Sequence, residues 1–233
     1  MAKKVKIEAS APSQAEANVG EILSRSERFI ETYKNHIIIG VIAIIIAAVA
    51  ILGIRHAYYL PKEREAQTAI FPGENYFANQ EWETALNGNG VNYLGFLEIA
   101  NEYSITKTGK LANAYAGICH YQLGNKEEAM KFLKKFNPND HIVSPSITGL
   151  VGDCYVESGN VKEGANLFVK AAEKANSVII SPIYLKKAAT AYMSLKDYDA
   201  AIKTYKTIKA KYPASTEGQS IDKYILQAES LLK

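Results

Sequence analysis

Ala116-Gly117-Ile118-Cys119-His120, Val151-Gly152-Asp153-Cys154-Tyr155 and Ala188-Ala189-Thr190-Ala191-Tyr192 are one pattern written three times. Twelve residues after the second member of each copy stands a small residue, Ala129, Gly164 or Ala201, and four further on a large one, Leu133, Phe168 or Tyr205. The copies lie 35 and then 37 residues apart, the extra pair falling in the connector at 177–182. Spacings of three and four put these residues on one face of a helix. Small residues let a second helix approach, and large apolar ones fill the space beside them. Gly124 and Gly159 sit where the chain must turn, Lys196 takes that place in the third copy, and Pro213 follows Tyr205 by eight residues. A single such helix pair buries too little apolar surface alone, so successive pairs must stack.

These residues resemble the tetratricopeptide repeat (TPR), with its period of about 34 and its small-residue, turn and closing-proline signature. A degenerate copy precedes them, Tyr76 through Trp82 to Ala85. The run Asn87-Gly88-Asn89-Gly90-Val91-Asn92 then interrupts as a turn-rich loop. A helix is predicted over 93–103, with Leu94, Leu97 and Ala100 on its apolar stripe and Phe96 beside it. Tyr103-Ser-Ile-Thr-Lys-Thr-Gly109 is echoed by Tyr212-Pro-Ala-Ser-Thr-Glu-Gly218, 109 residues later. A last helix, 220–232, caps the stack with Ile221, Tyr224, Ile225 and Ala228 inward. Tyr93, Tyr115 and Tyr184 have no place in the pattern.

The average composition, 48% hydrophobic with net charge +3, hides an uneven distribution. Residues 37–54, IIIGVIAIIIAAVAILGI, are eighteen in a row without a polar or charged side chain. As a helix they span about 27 Å, close to a bilayer's hydrocarbon thickness. The run is too long for a cleaved signal and lies too far from Met1, and Tyr33, His36, Tyr58 and Tyr59 suit the two interfaces. The expected organisation is therefore a disordered tail (1–17), an amphipathic helix (18–35), a transmembrane helix (36–57) and a TPR domain (58–233). That domain would hold about four repeats and the capping helix. The fold class is all-α, one membrane helix followed by a TPR-type α-solenoid. Arg25, Arg28 and Lys34 before the span balance Arg55, Lys62 and Arg64 after it. Lys3, Lys4 and Lys6 tip the count toward a cytoplasmic N-terminus.

Little in the sequence points to chemistry. The four histidines form no zinc-protease motif, and no serine or cysteine sits in a nucleophile motif. Cys119 and Cys154 occupy equivalent positions of stacked helices, roughly 9–10 Å apart at helix-packing distances. That favours buried thiols over a disulfide or a metal pair. Neither the Asn-Gly loop, without carboxylates, nor Gly88-x-Gly90 makes a calcium or dinucleotide site. No basic stripe with interleaved aromatics suggests nucleic acid. No cofactor, metal or small-molecule substrate is expected, and no enzymatic activity.

In TPR proteins the first helix of each pair lines a groove for peptides or partner helices. Here that face carries Ile118, Tyr121, Asp153, Val156, Glu157, Lys186, Thr190 and Met193, the expected partner-binding residues. The Lys/Asn pairs of a peptide-carboxylate clamp are absent, since those places hold Ala114/Ile118, Gly149/Asp153 and Lys186/Thr190. The groove is either open or partly filled by the chain's own helices. The layout from Val19 onward resembles the YfgM-like family of bacterial inner-membrane proteins. That resemblance implies a single-pass inner-membrane protein with a periplasmic TPR domain, an ancillary subunit of the protein-translocation channel acting with periplasmic chaperones on envelope proteins. A scaffold subunit of another envelope complex, for outer-membrane assembly or secretion, is the other reading. Tyr212-Pro213-x-Ser215 is shared with TPR lipoproteins of that kind, although this chain lacks a lipobox cysteine.

Overall fold

In a computed structural model the described residues are 14–232 apart from Asn137 and Asn139, with the backbone alone at 14–29 and 31. No strand occurs among them, and apart from turns and loops they are helical. Helix α1 (Gln14–Ile54) runs through a π-helical turn (Arg55–Tyr59) into α2 (Leu60–Ala78). The tail expected over 1–17 lies outside the described residues as far as 13, and residues 14–17 are already helical. The expected amphipathic and apolar segments are one unbroken helix. The stretch Thr32–Ala78 holds a window long and apolar enough to cross a membrane, none of it buried. A bare Ile/Val/Ala surface of that length has no polar face to offer water.

The chain divides into two compact units, one ending at Tyr58 and the other Tyr59–Lys233. The second is a stack of helix pairs: α2 with α3 (Trp82–Asn87), α5 (Lys107–Gln122) with α6 (Lys126–Leu133), and α7 (Val143–Glu157) with α8 (Val161–Ala175). The last pair is α9 (Ile180–Ser194) with α10 (Tyr198–Lys211). Helix α4 (Phe96–Glu102) is inserted after the first pair, and α11 (Thr216–Gln219) and α12 (Ile221–Leu231) close the stack.

One hydrogen bond recurs in all four pairs. The carbonyls of Tyr76, His120, Tyr155 and Tyr192 accept from the amides of Glu81, Asn125, Asn160 and Asp197 at 2.8–3.0 Å. This six-to-one bond closes a Schellman turn, whose penultimate residue must be left-handed. Gly124 and Gly159 supply it at φ 84° and 86°, whereas Gln80 and Lys196 adopt it at 63° and 58° despite their side chains. The turn thus fixes the register of the degenerate first pair as firmly as that of the others.

Packing between the helices of a pair follows the small residues. A Cβ on Gly152 of α7 would meet the Phe168 ring of α8 at 2.8 Å and the Gly164 carbonyl at 3.2 Å. Gly164 in turn has room for nothing more than hydrogen against Val156. Gly117 stands in the same relation to Leu133. Cys119 and Cys154 are buried free thiols, pushed up to about 12 and about 11 by burial, so both stay protonated.

The first pair is built otherwise. Helix α3 has six residues, too few to cover α2, and aromatic rings fill the shortfall. Phe96 stacks on Tyr115 with centroids 4.7 Å apart, and Phe77 meets Tyr115 at 4.9 Å and Trp82 at 5.1 Å, edge to face. Tyr93 donates its hydroxyl to the Ala85 carbonyl at 2.7 Å, and Tyr115 donates to Glu74 at 3.1 Å. Tyr184 lies over Gly149, joining α9 to α7. Of the three tyrosines outside the repeat pattern, Tyr93 thus packs against both helices of the first pair, while Tyr115 and Tyr184 join one pair to the next. The expected 93–103 helix is shorter than predicted: Gly95, at φ 91°, breaks it. Phe96, Ile99 and Ala100 point inward while Leu94 is exposed.

The echo between residues 103–109 and 212–218 is a structural device. Thr106 and Ser215 donate their hydroxyls to the carbonyls of Tyr103 and Tyr212 and accept from the amides of Gly109 and Gly218. Each caps the helix that follows it. Ile221, Ile225 and Ala228 of α12 are buried and Tyr224 half-buried, so the last helix covers the open end of the stack.

Candidate functional site: the face of the first helices

Helices α5, α7 and α9 are the first members of their pairs, and their free faces adjoin. Between α7 and α9 lies a cavity of about 520 Å³. Asp153, Val156, Lys186 and Thr190 line it, four of the eight residues expected from the repeat register. Phe168, Ile183, Lys187, Ala191, Ser194 and Glu217 complete the wall. Its floor is apolar and its rim charged.

The rim is set by specific contacts. Lys187 donates to both oxygens of Asp153, at 2.8 and 2.7 Å, with its ammonium 5.1 Å from the Phe168 ring centroid. Lys186 sits 5.1 Å over the Tyr224 ring, which Lys223 approaches from 4.9 Å. No ion pair holds Lys186 among the described residues. One lysine is thus ion-paired inside the fold, and its neighbour keeps its charge over an aromatic ring at the rim.

Tyr121 and Glu157 lie one pair earlier, at the adjoining ends of α5 and α7. The Tyr121 hydroxyl donates to Glu157 Oε1 at 2.6 Å, and Lys126 Nζ stands 2.9 Å from Oε2. Those two hydrogen bonds, the tyrosine's first, hold the Glu157 carboxyl below its ordinary range. The same bond, with some burial, raises the Tyr121 phenol. Ile118 and Met193 are half-buried against the hydrophobic clusters on either side, so their exposed edges join the face while most of each side chain packs. Next to this face His120 stacks on Phe132 at 5.4 Å with its Nδ1 buried and unpaired, and burial lowers its pKa.

Several wall residues escaped the register. Phe168 is a packing residue whose ring edge also reaches the cavity. Ile183, Lys187 and Ser194 stand on α9 beside the positions the repeat singles out, where a helical wheel of α9 alone would find them. Glu217 comes from the closing segment after the last pair, which no repeat position encodes. Through it the chain's own terminal segment walls one side of the cavity without filling it.

A tetratricopeptide-repeat family profile matches residues 115–139 and 184–215. These are the pair α5–α6 and the pair α9–α10. No curated protein matches the sequence. Among solved structures, the nearly identical TPR-like repeats of a Podosopora anserina protein described as a kinesin light chain superpose with a TM-score of 0.53 at 12% identity. That match covers 73% of this chain and 87% of the other. At such identity the likeness is one of fold. The chain carries TPR repeats in a helical solenoid.

Proposed function

We propose that this chain is a membrane-anchored protein-binding module, held by residues 37–54, that receives partner segments on the face of α5, α7 and α9. What carries the reading is the 520 Å³ cavity on that face, an apolar floor with a charged rim, on a repeat scaffold that generally serves protein–protein interaction. The finer proposal follows the resemblance to the YfgM-like family. The N-terminus lies in the cytoplasm of a bacterial cell and the repeats in the periplasm. The partners are translocon subunits or periplasmic chaperones attending envelope proteins, and no catalysis is involved. Carbonate-resistant membrane association, with protease added to spheroplasts removing the repeats but sparing the tail, tests the placement. A photo-crosslinking residue at Thr190, compared with one at Lys203 on the second-helix side, tests the face. Adducts with translocon or chaperone subunits from Thr190 alone are the expected result. Adducts with outer-membrane assembly or secretion subunits would favour the scaffold reading, and equal labelling from both positions would remove the groove.

A further inference from the structure

The first helices of the pairs run parallel, so their starting ends share one edge. Glu63, in the first turn of α2, accepts from the Lys107 amide and the Thr108 hydroxyl of α5, both at 2.7 Å, which sets the starts of α2 and α5 side by side. Tyr121 and Glu157 do the same for the far ends of α5 and α7, and Gly149 against Tyr184 sets the first halves of α7 and α9 together. Because each second helix runs back, its C-terminal end arrives on that edge too: His141 Nδ1 lies 3.0 Å from the Lys174 carbonyl, where α7 starts and α8 ends.

At the entry to each of α5, α7 and α9 an aliphatic side chain stands in solvent. Ile105 is 49% exposed, Ile142 68%, and Val178 and Ile179 72% each. In the last two the exposure is in register, since Ile142-Val143-Ser144-Pro145 and Ile179-Ile180-Ser181-Pro182 are one motif 37 residues apart. Its Ser and Pro are buried while its leading isoleucine points out. Lysines accompany these side chains where the second helices end: Lys135 after α6 and Lys211 in the last turn of α10, while their neighbours Lys134 and Lys209 are held by Tyr155 and Asp222. Lys211 lines a 480 Å³ hollow together with Val178, Ile179, Ile183 and one carboxylate, Glu217. Two of the edge's carboxylates, Glu63 and Asp140, are occupied in capping α5 and α7. Lysines at helix C-termini suit the helix dipole by themselves. Aliphatic side chains raised into water beside them do not, and the combination is that of surfaces that sit in a lipid headgroup layer.

We infer that this edge of the repeat unit rests on an anionic bilayer surface, with Ile105, Ile142, Val178 and Ile179 entering the headgroup boundary and Lys135 and Lys211 meeting lipid phosphate. The inference rests on the reading of residues 37–54 as a span. Leu60, where α2 begins, follows that run closely in sequence and lies at the same edge, so the tether supplies a high effective concentration of lipid. The surface adjoins the cavity of α7 and α9, sharing Ile183 and Glu217 with it, and leaves the Asp153, Val156 and Thr190 side of that cavity to a protein partner.

The full chain is reconstituted in vesicles of phosphatidylcholine alone or with phosphatidylglycerol, carrying Ile179→Cys labelled with an environment-sensitive dye; the two native thiols are buried. Ser158→Cys, at the opposite edge, is the reference, and circular dichroism verifies the fold of each variant. With phosphatidylglycerol the dye at 179 shifts to the blue and is quenched by nitroxide-bearing lipid, while that at 158 is unaffected. Lys135→Glu with Lys211→Glu, or raised salt, abolishes the shift. Protein that does not float with the vesicles overturns the span and this inference together. Protein that floats with the dye at 179 as wet as at 158 overturns this inference alone. So does shielding at 179 that needs added soluble protein, which would make the edge a protein interface.

Discussion

The α7–α8 pair and the α2–α3 pair make the same turn with the same hydrogen bond, yet they are packed by opposite means. In the first, glycines at 152 and 164 bring two fifteen-residue helices so close that a Phe168 ring closes the contact. In the second the six-residue α3 is too short to cover α2, and Tyr93, Phe96 and Tyr115 are brought in from beyond the pair to complete the core. Close approach is a local solution, written in residues four and twelve apart. Aromatic filling is a non-local one, dependent on a loop that carries rings back. The two should fail differently.

The largest loss is expected from Phe96→Ala, since the side chain is wholly buried and its ring holds Tyr115 and Phe77 in place. A cost of about 3–5 kcal/mol is typical of such a truncation. Because stacked repeats couple to their neighbours, the damage should centre on α2 to α5, where hydrogen exchange would show protection falling first. Uniform loss along the unit would mean that the aromatic cluster is not a separate block.

Gly152→Leu comes next. It drives a side chain into Phe168 and the Gly164 backbone, an overpacking expected to cost about 1–3 kcal/mol or more. The pair lies mid-stack, so exchange should quicken on both sides and capture by the α7–α9 cavity should fall with the melting temperature. A variant melting like its parent would refute the close-packed register.

How much could be read in advance follows from the same contrast. The three regular pairs, their turns and the closing helix were legible because each depends on residues within one period. Lys196 was correctly placed at a turn position, but its left-handed backbone shows only in three dimensions. In the first pair the sequence misdirected the stripe to Leu94, because Gly95 ends the helix and turns Phe96 inward instead. Glu63 capping α5 from 44 residues away and Glu217 entering the cavity wall were beyond any periodic reading, both being products of stacking. Of the expected groove, Asp153, Val156, Lys186 and Thr190 converge on one cavity, while Tyr121 and Glu157 form their own pair beside it.

A smaller effect, opposite in sign, is expected at the turns. Lys196 holds φ 58° where Gly124 and Gly159 hold theirs without strain. A left-handed non-glycine residue costs about 1–2 kcal/mol, and glycine's freedom in the unfolded chain returns part of it. Lys196→Gly should therefore stabilise the α9–α10 pair by about 0.5–1 kcal/mol, read as a raised melting midpoint of the detergent-solubilised chain. A lowered midpoint would mean that the lysine side chain contributes packing that its exposure does not suggest.

The smallest effect belongs to Glu157→Ala, although Glu157 makes the most conspicuous polar contacts on the face. Its carboxylate is exposed and sits in the last turn of α7, where a negative charge opposes the helix dipole. Tyr121 and Lys126 offset that disadvantage from α5 and α6, and a solvent-exposed pair of this kind is worth about 0–1 kcal/mol. The net change in stability at neutral pH should lie within about 0.5 kcal/mol. The pH dependence gives the sign. Because the folded carboxyl is held below its ordinary 4.5, whatever Glu157 contributes is present above that value. It is lost as pH falls through the folded value, and there the difference between parent and variant should shrink. Partner crosslinking from Thr190 is the independent readout, expected to change while the melting curve does not. If Glu157→Ala unfolds the domain instead, the α5–α7 contact is structural, and the face of the first helices is a packing surface rather than a docking one.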